Sequence, residues 1–389
     1  MHEAKYLIQI IKYFLNSAEA LDKIPTPPKA FDWERLIKIA ERHSLGSLLY
    51  HVVPKLQEEL CPQENLLNHM RKRAMSAAVT DIKQRAEKQK LVQQFEKHQL
   101  YCMPVKGCDT KEYYPKTEWR TMGDLDILYK AEQHNEVKAL LLELGYSDFE
   151  SGLKHDHYSK PPFIAVEMHR GLVAANTMAE DYYEDVWEKA VPRDGYEYIY
   201  QMRPEELYIY TMIHLLEHFQ NGGIGIRFIM DIYVLSKQGN INREYVLKVF
   251  QTLDISKFAF YIEQLAEKWF GKDAMPLDEE INAILEELGD FIIQNGTYGS
   301  SSHAQNVAVE REGRIGYMKR MAFPNYNSMQ TLYPWLTGKP YLLPMAWGIR
   351  IVRTILFRKD SIQVGMNTLK YGDSEQGKEL LEFYKRCGL

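Results

Sequence analysis

Cysteine is scarce in this sequence, and its placement excludes two common uses. The four residues contain no Cys-x-x-Cys pair, so neither a structural zinc centre nor a disulfide framework is indicated. Reduced thiols are typical of cytosolic proteins, and we therefore expect a cytoplasmic location. The four cysteines are Cys61, Cys102, Cys108 and Cys387.

Long apolar runs and a strong net charge are also missing. The sequence has no uninterrupted apolar run of about 18 residues, the length that a spanning helix needs. The apolar segment at residues 7–15 is broken by Gln9 and Lys12 and is followed by no small-residue cleavage site, so we expect neither a transmembrane segment nor a signal peptide. A net charge of −5 disfavours a dedicated nucleic-acid binder, because such domains are usually strongly basic.

The hydrophobic pattern changes character twice along the 389 residues. Helical spacing of apolar residues fills residues 1–98 and returns after residue 172, whereas short β-compatible runs and one amphipathic helix lie between. We expect an α+β protein with a small mixed sheet flanked by helices. Its predicted parts are an N-terminal helical segment (1–98), an α/β core (99–172) and a larger C-terminal helical region (173–389).

Two aspartates mark the predicted strand at residues 124–129. Side chains alternate between the faces of a strand, so Asp124 and Asp126 share one face while Leu125 and Ile127 share the other. Two carboxylates this close repel each other unless a positive charge lies between them. Hard oxygen ligands suit Mg²⁺, which also binds substrate phosphates, and the pair therefore indicates a metal site.

A third carboxylate lies in the predicted strand at residues 163–169. Glu167 is flanked by Val166 and Met168, and so apolar a run tolerates a carboxylate poorly unless the group is paired or bound to metal. A site of three acids can hold two ions, one of which activates a hydroxyl while the other supports a leaving phosphate. The alternatives are a solvated strand end for the aspartates and a structural ion pair of Glu167 with Arg170 or Arg120.

Histidines near these acids raise the question of zinc. His155 and His157 would lie on one strand face, and His169 shares a face with Glu167. Without a cysteine or a clear fourth ligand, the sequence does not favour zinc. We expect His169 to hydrogen-bond a carboxylate or a phosphate.

Four motifs follow one another along the chain: Lys106-Gly107, Arg120, Asp124-Leu-Asp126 and Glu167-Met-His169. Together they resemble the nucleotidyltransferase superfamily built like DNA polymerase beta, and most closely its uncharacterised bacterial nucleotidyltransferase branch. The resemblance covers residues 103–169 well and extends more loosely to residues 214–231. Its combination of motifs is more specific than Asp-x-Asp alone, which is common.

The resemblance implies a metal-dependent attack of an acceptor hydroxyl on the α-phosphate of a nucleoside triphosphate, with release of pyrophosphate. Asp124 and Asp126 would bind Mg²⁺ or Mn²⁺, with Asp126 bridging two ions. Glu167 would complete the metal cluster and help to deprotonate the hydroxyl. The acceptor may belong to a small molecule, a protein or an RNA.

The nucleotide would be held by four further residues if the resemblance holds. Gly107 would let backbone amides approach the phosphates, while Lys106 and Arg120 would neutralise the triphosphate charge. His169 would contact a phosphate or a carboxylate. Five further residues could line the substrate side of the cleft: His155, His214, His218, Arg227 and Asp231. For the last four of these, the alternative is a role in the core or in a salt bridge between helices.

One departure from the family pattern keeps other functions open. The turn normally reads Gly-Gly or Gly-Ser, whereas this sequence has Gly107-Cys108 and so lacks the hydroxyl that commonly touches a phosphate. This favours, as an alternative, an inactive nucleotide- or peptide-binding module of the same fold. A phosphotransferase that presents the γ-phosphate to the same metals is a further alternative.

Overall fold

The computed structural model shows a small sheet surrounded by helices, as the hydrophobic pattern predicts. It describes residues 2–16, 24–28, 31–151, 155–161, 164–173, 179–220, 222–238, 241–273, 276–296, 338–357 and 375–389, with short pieces between 316 and 336. The α-helices within these ranges are α1 (His2–Asn16), α2 (Trp33–Arg42), α3 (Glu64–Lys97), α4 (Gly107–Thr110), α5 (His134–Glu143), α6 (Pro204–Gln220), α7 (Ile226–Gln238), α8 (Arg243–Thr252), α9 (Ser256–Phe270), α10 (Glu279–Asn295), α11 (Leu343–Phe357) and α12 (Glu375–Arg386).

A mixed five-stranded sheet carries the residues of interest. Its strand order is β1-β2-β5-β4-β3, with β2 and β5 parallel and the other neighbours antiparallel. The predicted fold class is therefore confirmed. The strands are β1 (Cys102–Pro104), β2 (Leu125–Tyr129), β3 (Ser147–Ser151), β4 (His155–Lys160) and β5 (Ile164–His169), and a separate hairpin pairs β6 (Ala190–Pro192) with β7 (Tyr200–Met202).

Alternation along β2 and β5 divides apolar from charged side chains. Leu125, Ile127, Val166 and Met168 are buried in one hydrophobic cluster together with residues of α3 and α5. The intervening residues, including Asp126, therefore point to the opposite face of the sheet. The central strands are stabilised by burying one face against helices, which leaves the other face for polar chemistry.

His43, at the C-terminal end of α2, ties three helices together. Its Nδ1 accepts a hydrogen bond of 3.1 Å from the Ile226 amide, and its Nε2 donates one of 3.2 Å to the Ile293 carbonyl. The ring is fully buried, and this burial lowers the pKa of His43 to about 4. The neutral ring thus joins α2 to the start of α7 and to the end of α10.

Contacts divide the chain into two compact units. The first comprises Met1–His218 and Gly223–Tyr298, and the second comprises Phe219–Gly222 and Gly299–Leu389. In the second unit, the Tyr384 hydroxyl donates a 2.9 Å hydrogen bond to the Phe219 carbonyl. The predicted three-part division at residues 98 and 172 stays a prediction. Among the described helices, none has both the length and the apolarity that a membrane span requires.

Candidate active site

Strand pairing brings the second aspartate and the glutamate side by side. Asp126 on β2 is the register partner of Glu167 on β5, and Leu128 is that of His169. On the other side of β5, His157 is opposite Glu167 and His155 is opposite His169. Because register partners point to the same face, five polar side chains of three strands form one patch on the sheet.

The ammonium of Lys106 lies in the middle of this patch. Its Nζ is 2.6 Å from Asp126 Oδ1, 3.5 Å from Glu167 Oε2 and 3.3 Å from His169 Nε2. His169 Nε2 is in turn 2.8 Å from Asp126 Oδ1 and 3.3 Å from Glu167 Oε2. We call Lys106, Asp126, Glu167 and His169 the charge cluster.

The turn that presents Lys106 has an unusual backbone. Its φ is 52° and its ψ is −127°, a conformation that costs a residue other than glycine about 1–3 kcal/mol. The preceding Val105 amide donates a 3.0 Å hydrogen bond to the Asp126 carbonyl, and the Lys106 carbonyl accepts from the Thr110 amide at 3.0 Å. These bonds fix the turn beside β2 and so direct the lysine across the sheet.

Mutual interactions favour the charged forms of Glu167 and His169. Burial opposes the charge of Glu167, but the hydrogen bond with His169 and the charge of Lys106 outweigh it and hold the pKa of Glu167 well below its usual range. Burial likewise opposes the charge of His169, yet its hydrogen bonds to Asp126 and Glu167 raise its pKa. The cluster thus balances anions with cations at close range.

Asp124 differs from its expected position but stays close to the cluster. It precedes β2, which begins at Leu125, and is therefore not a strand residue. Burial, followed by the negative charges of Asp126 and Glu167, raises the pKa of Asp124. Crowding of three carboxylates is the electrostatic situation that a divalent cation relieves.

The donor atoms of the patch suit a cation. Asp126, Glu167 and His169 each offer a ligand atom within 4.8 Å of the others. Carboxylate oxygens are the ligands that Mg²⁺ and Mn²⁺ prefer, and Mn²⁺ also accepts imidazole. The residues present therefore fit a divalent cation, with Asp124 as the neighbouring carboxylate.

Position 107 requires a glycine, because the side chain of Arg120 lies where a Cβ would be. A Cβ at this position would lie 2.7 Å from Arg120 Nη1 and 3.1 Å from Met122 Sδ, which no real Cβ tolerates without movement of its neighbours. The following Cys108 side chain is fully buried in the hydrophobic cluster that contains Leu125 and Ile127. The Gly-Cys pair is thus explained by packing around the turn.

Arg120 forms a buried ion pair with a residue 111 positions away. Its Nε and Nη2 donate to Asp231 Oδ1 and Oδ2 at 3.1 Å and 2.8 Å. The Tyr114 hydroxyl donates to the same Oδ1 at 2.6 Å. Both partners are buried, so the guanidinium that the sequence assigns to phosphate is held by Asp231 on α7.

The two α6 histidines lie against each other. His214 Nε2 and His218 Nε2 are 3.1 Å apart. Burial, then the charges of His218, Lys106 and Arg120, hold the pKa of His214 well below its usual value. The helix therefore places His214 within electrostatic range of Lys106.

Arg227 lies at a cavity beside the residues that lead into β2. Its Nη1 donates a 2.8 Å hydrogen bond to the Thr121 carbonyl. The cavity has a volume of about 400 Å³, and its lining includes Arg73, Arg120, Gly123 and Arg227. This volume lies within the range of about 300–1,000 Å³ typical of ligand pockets.

Tyr210 is a residue of this region that the sequence analysis missed. Its ring is buried, and its hydroxyl has no hydrogen-bond partner among the described residues. Burial raises the pKa of Tyr210, and Lys106 and Asp126 are its strongest electrostatic neighbours. The sequence feature that could have identified Tyr210 is its spacing, since it lies four residues before His214 on the same helix face.

A comparison with models of protein families identifies the class of protein. The model of a family described as "Uncharacterised nucleotidyltransferase" matches residues 29–271. This is well over half of the chain, and the protein belongs to that family of nucleotidyltransferases. Searches of curated proteins and of solved structures find no match. The predicted enzyme class is thereby confirmed at the level of the family.

Proposed function

We propose that this protein transfers a nucleoside monophosphate from a nucleoside triphosphate to an acceptor hydroxyl and releases pyrophosphate. The observation that carries the proposal is the charge cluster, in which Lys106, Asp126, Glu167 and His169 meet on one face of the sheet. It lies inside the region matched by the nucleotidyltransferase family. The order of the motifs supports the finer assignment to the superfamily built like DNA polymerase beta.

Asp124, Asp126 and Glu167 would hold the divalent cation, Mg²⁺ or Mn²⁺. When bound, this cation would neutralise triphosphate charge and lower the pKa of the acceptor hydroxyl. Glu167 has a lowered pKa, so it is a weak base that serves better as an anionic ligand than as a proton acceptor. His169 orients both carboxylates through its contacts with Asp126 and Glu167.

Lys106 supplies mobile positive charge at the reacting phosphate. It already lies between the carboxylates, and a cation bound to the same oxygens would free its ammonium for phosphate oxygens. The acceptor oxygen forms a bond to the α-phosphorus, while the bond from that phosphorus to the bridging oxygen breaks. Pyrophosphate leaves with the electron pair, and the hydroxyl proton passes to solvent.

Of the three possible classes of acceptor, the cavity beside Gly123 and Arg227 favours a small molecule over a protein or an RNA. It opens next to the residues that precede Asp124, and arginines contribute to its lining. Its volume suits a ligand of drug-like size rather than a folded macromolecule. A cytoplasmic location is supported by the four cysteines, which are free thiols.

The test uses radiolabelled nucleotides. The full chain is incubated with each α-labelled nucleoside triphosphate, Mg²⁺ or Mn²⁺, and a small-molecule extract. We expect label to appear on an acceptor together with pyrophosphate, and Asp126→Asn to abolish it. Asp254→Asn is the matched control, because Asp254 is exposed and has a φ of 53° that asparagine adopts readily.

Other outcomes separate the alternatives. Transfer from γ-labelled nucleotide with release of a nucleoside diphosphate would replace the proposal with phosphoryl transfer. Nucleotide binding without transfer to any acceptor would favour the inactive binding module. Transfer by Asp126→Asn at the rate of Asp254→Asn would show that the charge cluster is not the active site.

A further inference from the structure

Two histidines of β4 face the carboxylate oxygen of Glu167 that lies away from Lys106. His155 Nε2 is 3.3 Å and His157 Nε2 is 3.6 Å from Glu167 Oε1. The other oxygen, Oε2, is the one that contacts Lys106 and His169. Glu167 thus joins two separate groups, with one oxygen in each.

The spacing of these atoms matches a tetrahedral metal ion. Zinc binds nitrogen and carboxylate oxygen at about 2.0–2.2 Å, so two ligands of a tetrahedral ion are about 3.4 Å apart. The observed separations of 3.3 Å and 3.6 Å lie on either side of this value. All three ligand atoms are within 4.8 Å of one another.

We propose that His155, His157 and Glu167 form a binding site for a borderline divalent cation of the Zn²⁺ class. Imidazole suits zinc and its neighbours in the first transition row, whereas Mg²⁺ prefers oxygen and keeps its waters. Two imidazoles and one carboxylate are a ligand set of open zinc sites, in which water or a substrate oxygen takes the fourth position.

The open position is accessible. The side chains of His155 and His157 are 43% and 33% exposed, while that of Glu167 is 14% exposed. The carboxylate therefore lies deeper than the rings, and a fourth ligand can approach from the solvent side. The site takes a cation whose remaining coordination is completed by water or by an oxygen of a bound molecule.

The paired strands hold the three ligands close together in the absence of a cation. His155 and His157 are two residues apart on β4, and His157 is the register partner of Glu167 on β5. Ligands on paired strands lose less conformational freedom on binding than ligands on loops. The sequence places His155 and His157 on one strand face but does not single out Glu167 as their common partner, because the register of β4 against β5 is not a local property.

The cation site shares Glu167 with the proposed active site but does not rest on nucleotidyl transfer. Its readout is the binding of a metal ion by the chain alone. Failure to transfer nucleotide would leave it standing, and absence of zinc binding would leave the Mg²⁺-dependent reaction standing.

The experiment titrates the full chain with Zn²⁺ by calorimetry, without nucleotide, and records the visible spectrum with Co²⁺ as a probe. We expect one Zn²⁺ per chain, an intense Co²⁺ spectrum of the tetrahedral type, and no competition from Mg²⁺. Mutation of residues that only hydrogen-bond to metal ligands already lowers metal affinity by about 10–100-fold. His155→Ala and His157→Ala, each removing a direct ligand, should weaken binding by about a hundredfold or more.

His218→Ala is the control that locates the ion. His214 and His218 bring two imidazole nitrogens within 3.1 Å and are one competing place for zinc, while Asp126 and His169 of the charge cluster, another such place, are left intact in His155→Ala and His157→Ala. We expect this variant to bind zinc as the unaltered chain does, with circular dichroism confirming that all variants are folded. The proposal is overturned by absence of zinc binding, by loss of binding in His218→Ala alone, or by a weak octahedral Co²⁺ spectrum.

Discussion

Removing the charge of Asp231 should reveal what Arg120 does. The guanidinium makes two charge-assisted hydrogen bonds to this carboxylate, at 3.1 Å and 2.8 Å, and Tyr114 adds a third at 2.6 Å. Arg120 is 8% exposed and Asp231 is 2% exposed, so water cannot replace the lost partner. Breaking one side of such a buried pair costs about 3–5 kcal/mol, and we expect this loss for Asp231→Asn.

A double variant tests whether the loss belongs to the pair. Arg120→Met combined with Asp231→Leu removes both charges, and replacing both partners by apolar groups is often close to neutral. We therefore expect the double variant to be more stable than Asp231→Asn, as measured by urea unfolding of the full chain.

A destabilisation below about 1 kcal/mol for Asp231→Asn would refute this reasoning. It would mean that the guanidinium finds another partner or reaches solvent, and that it is free to serve phosphate as the sequence predicts. Arg120→Lys is a second test of the role of Arg120, because lysine keeps the positive charge but cannot form the two parallel hydrogen bonds of a guanidinium. A structural role predicts a loss of stability in this variant with the affinity for nucleotide retained.

Three further outcomes are expected in urea unfolding. Gly107→Ala should cost about 1–3 kcal/mol through overpacking, whereas Gly123→Ala, which meets nothing within 4 Å, should cost much less; equal losses would contradict the packing argument. Burial lowers the pKa of His43 to about 4 in the fold, from 6.5 in the unfolded chain. Its contribution to the free energy of unfolding is therefore complete above pH 6.5 and falls by about 1.4 kcal/mol per pH unit towards pH 4. His43→Gln should remove that slope, and a slope that persists would refute the assignment. Tyr210→Phe should be neutral or stabilising, because the hydroxyl it removes has no partner among the described residues; a loss above about 1 kcal/mol would show a hidden hydrogen bond.

Local pattern predicted the face of the sheet that carries the chemistry. Alternation in β2 and β5 separates Asp126 and Glu167 from the apolar core, and this periodicity is a property of the strand itself. The helices followed for the same reason, since their apolar spacing is local. The fold class and the pairing of carboxylates were therefore accessible from the sequence.

Contacts between distant segments were not accessible in this way. Between Arg120 and Asp231 the chain forms four strands of the sheet, the helices α5 and α6 and the β6–β7 hairpin, and no local period relates the two residues. Gly107 was interpreted as a phosphate-binding glycine, whereas its lack of a side chain makes room for Arg120. The sequence predicts that Lys106 contacts nucleotide. Its contact with Asp126 depends on the backbone conformation of the turn, which no local pattern predicts.

The Arg120–Asp231 pair also sets the shortest piece of this protein that is worth expressing. A fragment limited to the sheet would contain the arginine but not α7, and it would expose a guanidinium whose partner lies beyond its last residue. Because His43 likewise joins α2 to α7 and α10, trimming either end removes a tie that the sheet region cannot replace. Functional assays therefore need a chain that runs from before α2 to beyond α10.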